Sequence, residues 1–217
     1  MSTMTVRGIR FYPDEIRDLA IAWVALGIAF TVFLFVVTGR EVFPDIAGAV
    51  SSPAFGRLFV LSMLTVGVGF LLHELAHKVV AIRLGQIAAF RADYGMLAVA
   101  ILAAFAGFLF AAPGAVHHRG RITDRDNGLV SVAGPLTNVA LVVAFLPLVL
   151  LFEGFIHQVG QLGVLINAFL AAFNMIPFGP LDGRSVLSWS TLVFAVVFVG
   201  SVLLVAFAIL FVGFPSL

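Results

Sequence analysis

Long apolar runs alternate with short polar breaks along almost the whole chain. The runs cover about Leu19 to Thr38, Leu58 to Leu84, Met96 to Ala112, Leu129 to Phe152, Leu162 to Phe178 and Trp189 to Phe211. Most approach or exceed the ~20 residues that a helix needs to cross a bilayer. The breaks hold most of the prolines and charges: Pro44 and Pro53 bracket the first, and Pro177 and Pro180 end the fifth run. The pattern predicts an all-α polytopic membrane protein with five or six transmembrane helices. It forms one integral-membrane domain over residues 1–217, with the lipid bilayer as its surroundings.

Two runs need more than a count. Residues 1–18 carry Arg7, Arg10 and Arg17 with Asp14, Glu15 and Asp18, and no small-residue cleavage site follows the first apolar run. That run is expected to stay as a first transmembrane helix with an amphipathic lead-in and a cytoplasmic N-terminus. The third run is flanked by Lys78, Arg83 and Arg91 before it and by Arg119, Arg121 and Arg125 after it. The positive-inside rule puts both flanks on the cytoplasmic side, which a simple span would separate. The favoured reading is a re-entrant segment packed against protein, bent at Gly107, Pro113 and Gly114. Gly114 to Ile122 would add a short membrane-associated β-hairpin after the second helix. The alternative is an ordinary sixth span.

Composition narrows the function. Of 217 residues, 62% are hydrophobic and 11% are charged, well below the charged share of a soluble domain. Soluble globular, disordered and nucleic-acid-binding classes are excluded. A net charge of +1 names no acidic partner. With no cysteine, disulfides and thiolate metal sites are ruled out, so any metal must be held by His, Asp or Glu.

Three ionisable residues sit together inside the second run: His73, Glu74 and His77, in Leu-Leu-His-Glu-Leu-Ala-His. Ionisable groups within a span are costly, so their default reading is functional. A shuffled chain of this composition would hold roughly 0.002 H-E-x-x-H matches, which sets chance aside. Positions i and i+4 share a helix face, so His73 and His77 can aim ring nitrogens at one ion. Glu74, at the edge of that face, can take a proton from an attacking water. Zinc suits imidazole ligands and keeps a coordination position open when catalytic. A polar helix contact without metal is the bland alternative. For the third ligand, Asp182 stands out, where Pro177, Gly179, Pro180 and Gly183 break the end of the fifth run. His117 and His118 are rivals among Arg and Gly in a loop. His157 is expected in the loop on the opposite face.

At these residues the chain resembles the site-2 protease family of intramembrane zinc metalloproteases, as a catalytic core without a fused PDZ-like or CBS-like domain. His73 to His77 matches its H-E-x-x-H. Asn174, Pro177, Pro180, Leu181, Asp182 and Gly183 match N-x-x-P-x-x-P-L-D-G, and Ala133 to Asn138 matches A-G-P-x-x-N. The likeness covers about residues 58–186. The resemblance implies one zinc ion per chain on His73, His77 and Asp182, with Glu74 as general base. Asn174, and less so Asn138, would position substrate or stabilise the oxyanion; interhelical hydrogen bonding is the alternative for both. It also implies hydrolysis within or near transmembrane segments of protein substrates, at a site opening near the cytoplasmic face. The β-hairpin would hold substrate as an added strand. A zinc membrane protease with a Glu as third ligand would need Glu153. A transporter or metal or proton carrier would use the same buried His, Glu and Asp.

Overall fold

A computed structural model describes residues 4–6, 8–40, 42–108, 114–119 and 123–216. Five of its helical stretches are long and apolar enough to cross a membrane: Pro13–Val37, Pro53–Arg83, Asp124–Leu151, Gly154–Asn174 and Thr191–Val212. The protein is a polytopic helical membrane protein with two small antiparallel sheets.

The first element is not helical. Strands β1 (Met4–Val6) and β2 (Ile9–Phe11) pair as a hairpin. Its turn includes Gly8 at φ +82°, a left-handed conformation that glycine adopts without strain. Helix α1 (Pro13–Val37) then starts with proline at its first position and Asp14 and Glu15 in its first turn. Both choices suit an N-terminus, where proline's missing donor is not needed and the dipole favours anions. A six-residue helix, α2 (Ile46–Ser51), lies in the first break. The second span is α3 (Pro53–Ser62), a π-turn at Met63–Gly67, and α4 (Val68–Arg83). In the π-turn the carbonyl of Met63 accepts a hydrogen bond from the Trp23 indole at 3.2 Å, which ties the irregular turn to α1.

The third apolar run proves short. Helix α5 (Tyr94–Phe105) has 12 residues, ~18 Å at 1.5 Å per residue, against a core ~30 Å thick. The strands on either side explain how it is held. β3 (Ile87–Ala92) pairs antiparallel with β4 (Gly114–Arg119), and Ala92 lies opposite Gly114. The segment therefore returns to the point it left, as a re-entrant excursion must. The hairpin partner of β4 is β3, upstream of α5. Residues 120–122, the return strand expected from the sequence, lie outside the described residues, as do residues 109–113.

The remaining helices are α6 (Asp124–Leu151), α7 (Gly154–Asn174), α8 (Asp182–Trp189) and α9 (Thr191–Phe207), which ends in a π-turn at Ala208–Val212. Helix α6 is capped by Thr123, whose hydroxyl accepts from the Asp126 amide at 3.1 Å. It packs along α7 and against α4 and α8. His157, expected in a loop, lies within α7, because only Phe152 and Glu153 separate α6 from α7.

One buried ion pair joins the first hairpin, α1, α4 and β3. Lys78 Nζ donates to both oxygens of Glu15 at 2.6 Å and to the Arg10 carbonyl at 2.8 Å. Glu15 also accepts from the Phe90 amide at 3.1 Å. Both residues are fully buried. One turn on, Asp18 accepts from the Ala92 amide at 3.3 Å and from the Tyr94 hydroxyl at 2.6 Å. The outer edge of β3 is therefore closed by two carboxylates of α1.

Candidate metal centre

Helix α4 fixes the first two donors. His73 and His77, one turn apart, are both buried, with ring centroids 4.6 Å apart. Each ring is anchored through Nδ1. His73 Nδ1 lies 2.6 Å from Asn138 Oδ1, and His77 Nδ1 lies 2.7 Å from the Val130 carbonyl, both on α6. A carbonyl oxygen only accepts, so His77 must carry its proton on Nδ1. That leaves its Nε2 lone pair for the centre. The two Nε2 atoms lie 2.9 Å apart.

The third donor arrives from the break after α7. Prolines 177 and 180 cannot continue a helix. Gly179, at φ +62°, turns the chain, and α8 begins with Asp182 as its first residue. Asp182 Oδ2 lies 3.3 Å from His73 Nε2 and 3.4 Å from His77 Nε2. A carboxylate here faces both Nε2 atoms and is the one oxygen donor of the three. Asn127 Nδ2 donates to Ser185 Oγ at 3.1 Å, which fastens α8 to the start of α6.

These three residues form the one cluster of His, Cys, Asp or Glu among the described residues that could hold a metal ion. A tetrahedral zinc with bonds of ~2.0–2.1 Å spaces its ligands ~3.3 Å apart. The observed separations are 2.9, 3.3 and 3.4 Å. Two imidazoles and one carboxylate, with room for a fourth ligand, suit a catalytic zinc. The room comes from Gly134 on α6: a Cβ there would stand 2.5 Å from both His73 Nε2 and His77 Nε2. Glu74 lies beside the cluster, buried, and its Oε2 has no hydrogen-bond partner among the described residues. That is the condition of a carboxylate kept for a proton from outside the protein.

The other candidates fall elsewhere. His117 is exposed on β4, and the side chain of His118 lies outside the described residues. Glu153, considered as the ligand of a different protease class, is exposed at the far end of α6. Asn174 ends α7 and donates to the Leu170 carbonyl at 3.0 Å. The oxyanion role considered for Asn138 does not suit its placement, because both ends of its amide are committed. Its Oδ1 faces His73, and its Nδ2 donates to the Gly69 carbonyl at 3.3 Å and to Asn167 Oδ1 at 2.9 Å. Asn167, in the fifth run but outside the three motifs, did not stand out in the sequence. A polar residue inside a span was the only signal it gave.

Sequence comparison agrees with this geometry. The chain is 39% identical over 193 residues to "Putative zinc metalloprotease MJ0611" of Methanocaldococcus jannaschii, covering 87% of this chain and 91% of that protein. It belongs to that zinc metalloprotease family. A second member, "Putative zinc metalloprotease YwhC" of Bacillus subtilis, is 33% identical over 147 residues, covering 58% of this chain and 66% of that protein. Neither a protein-family model nor a solved structure matches the chain. The family agrees with the resemblance carried by the three motifs.

Proposed function

We propose that this protein is an intramembrane zinc metalloprotease of the site-2 protease type, hydrolysing peptide bonds within or near transmembrane segments of membrane proteins. The observation that carries the reading is the convergence of His73, His77 and Asp182 beside Glu74, whose Oε2 has no hydrogen-bond partner among the described residues, inside a bundle of membrane-spanning helices. His73 and His77 would hold zinc through Nε2, and Asp182 through its carboxylate. Bound there, zinc supplies a Lewis acid that polarises a carbonyl and acidifies water. Glu74 takes the proton of the attacking water and hands it to the leaving amine. Asn174, at the mouth of the Pro-rich break, is a candidate to position the substrate.

A substrate helix must unwind first, since its carbonyls are tied in i to i−4 bonds. The β-ribbon supports an added-strand mode of holding the unwound segment. In the antiparallel register Phe90 faces Val116. The Phe90 amide donates to Glu15, away from β4. This is therefore a non-hydrogen-bonded pair, and the Val116 backbone groups also point away from β3. They lie on the outer edge of β4, a strand that packs against α4, the helix that carries Glu74. With β3 closed by α1, β4 is, among the described residues, the edge open to a substrate strand. Val116→Pro removes that amide without breaking the β3–β4 pairing. It should lower cleavage of a purified transmembrane substrate in detergent or liposomes several-fold, chiefly through KM, with zinc content unchanged. Unaltered kinetics would remove β4 from the substrate path.

Arg40 and Arg57 flank one end of the spans, whereas Arg10, Arg17, Arg83, Arg91, Arg125 and Arg184 lie at the end that carries the site. This bias supports a cytoplasmic N-terminus and a cytoplasmic opening of the site. A metal or proton carrier is not favoured, since both relatives bear protease names.

A further inference from the structure

We infer that Asn167 is a positioning residue for the metal centre, which fixes the tautomer of His73 through Asn138. The inference rests on the proposed zinc site and adds to it a residue outside the three sequence motifs. Asn138 and Asn167 are both fully buried, on α6 and α7. A buried amide is costly unless its hydrogen bonds are made, and here each bond dictates the next.

The chain of constraint starts at a backbone carbonyl. Asn167 Nδ2 lies 2.8 Å from the Gly163 carbonyl, one turn back on α7. A carbonyl can only accept, so the NH2 end of Asn167 must face it. Its Oδ1 then faces Asn138, at 2.9 Å from Nδ2. The NH2 end of Asn138 must therefore face α7, where the Gly69 carbonyl also receives it at a longer 3.3 Å. Only Oδ1 remains for His73, at 2.6 Å from Nδ1. An amide oxygen is an acceptor, so His73 carries its proton on Nδ1 and presents the Nε2 lone pair to the centre. His77 reaches the same state in one step, through the Val130 carbonyl. His73 has no carbonyl against its Nδ1 and uses two side-chain amides instead.

The packing of α4 agrees. Gly69 stands one turn before His73, and a Cβ there would lie 2.6 Å from Asn167 Oδ1. A side chain at 69 would displace the oxygen that orients Asn138. Without Asn167, only the longer bond to Gly69 opposes rotation of the Asn138 amide. Rotated, it would set an NH2 group against the His73 Nδ1 proton.

Asn167→Leu keeps the volume and removes both bonds. Asn167→Asp, kept protonated by full burial, keeps an oxygen to accept from Asn138 and a hydroxyl to donate to the Gly163 carbonyl. Zinc affinity measured by chelator competition should fall about tenfold in Asn167→Leu, the lower end for loss of an outer-shell partner, and stay within about threefold of wild type in Asn167→Asp. In zinc-loaded protein labelled with 15N-histidine, the His73 Nδ1 proton, assigned by its loss in His73→Gln, should exchange slowly in wild type and Asn167→Asp. It should exchange fast in Asn167→Leu. If the leucine variant does not fold, Asn167→Ser, too short to reach Asn138, takes its place with the same expectation. Equal losses in the Asp and Leu variants would reduce Asn167 to packing and overturn the relay. So would zinc affinity and Nδ1 exchange in Asn167→Leu matching those of wild type. A wild type that binds no zinc would overturn the zinc site and the relay together.

Discussion

Glu74→Gln should lower single-turnover cleavage of a transmembrane substrate by about 10²- to 10⁴-fold, the range for loss of a positioned general base, while zinc content stays at the wild-type level. Gln has the shape of Glu but cannot accept a proton from water at neutral pH. The three donors are His73, His77 and Asp182, none of which the substitution touches. Among the described residues Glu74 Oε2 has no hydrogen-bond partner, so a glutamine amide breaks no bond there and the fold should be little disturbed. Loss of both zinc and activity would make Glu74 a structural residue. Retained activity would move the base elsewhere. A carrier would bind and move its ligand in the variant as before, so the same protein also separates hydrolase from transporter.

Lys78→Met should destabilise the protein by about 3–5 kcal/mol, the cost of leaving one member of a buried ion pair without its partner. Lys78 follows His77 directly in the sequence, yet its ammonium points away from the metal centre, to Glu15 at 2.6 Å. Removing it strands a carboxylate that is fully buried and that also receives the Phe90 amide. The double variant Glu15→Gln with Lys78→Met should recover much of the loss, since a neutral amide can still accept from Phe90. Thermal unfolding in detergent reads both. A single variant as stable as wild type would mean that water reaches Glu15 and that the clasp between α1, α4 and β3 contributes little.

These two residues mark where the sequence was legible and where it was not. Glu74 stands in a motif whose meaning is local: i to i+4 spacing on a helix puts His73 and His77 on one face. Asp182 was legible for a similar reason, since Pro177, Pro180 and their glycines announce a break that frees a carboxylate at the end of a span. Five of the six apolar runs correspond to the five spans; the third, as long as the fifth, does not. Charge on both flanks of the third run pointed to an excursion from one face, and the pairing of Ala92 with Gly114 is how the chain makes it.

Long-range partners could not be read in this way. Glu15 and Asp18 read only as charges of an amphipathic lead-in, because their partners, Lys78 and the amides of Phe90 and Ala92, are 63 to 75 residues away. Strand β3, Ile-Ala-Ala-Phe-Arg-Ala, has too little alternation to announce itself, and its partner follows a whole helix later. Asn138 was visible in its motif, but its task was not. Only the structure shows its oxygen turned to His73 and its nitrogen to Gly69 and Asn167.

The central claim is that His73, His77 and Asp182 form one zinc site. Metal content of the purified protein in detergent, wild type beside Asp182→Asn, tests it without a known substrate. About one zinc per chain in wild type and much less in the variant is the expected result, since the substitution removes the only anionic donor of the three. Equal zinc in both proteins, or none in freshly prepared wild type, would contradict it.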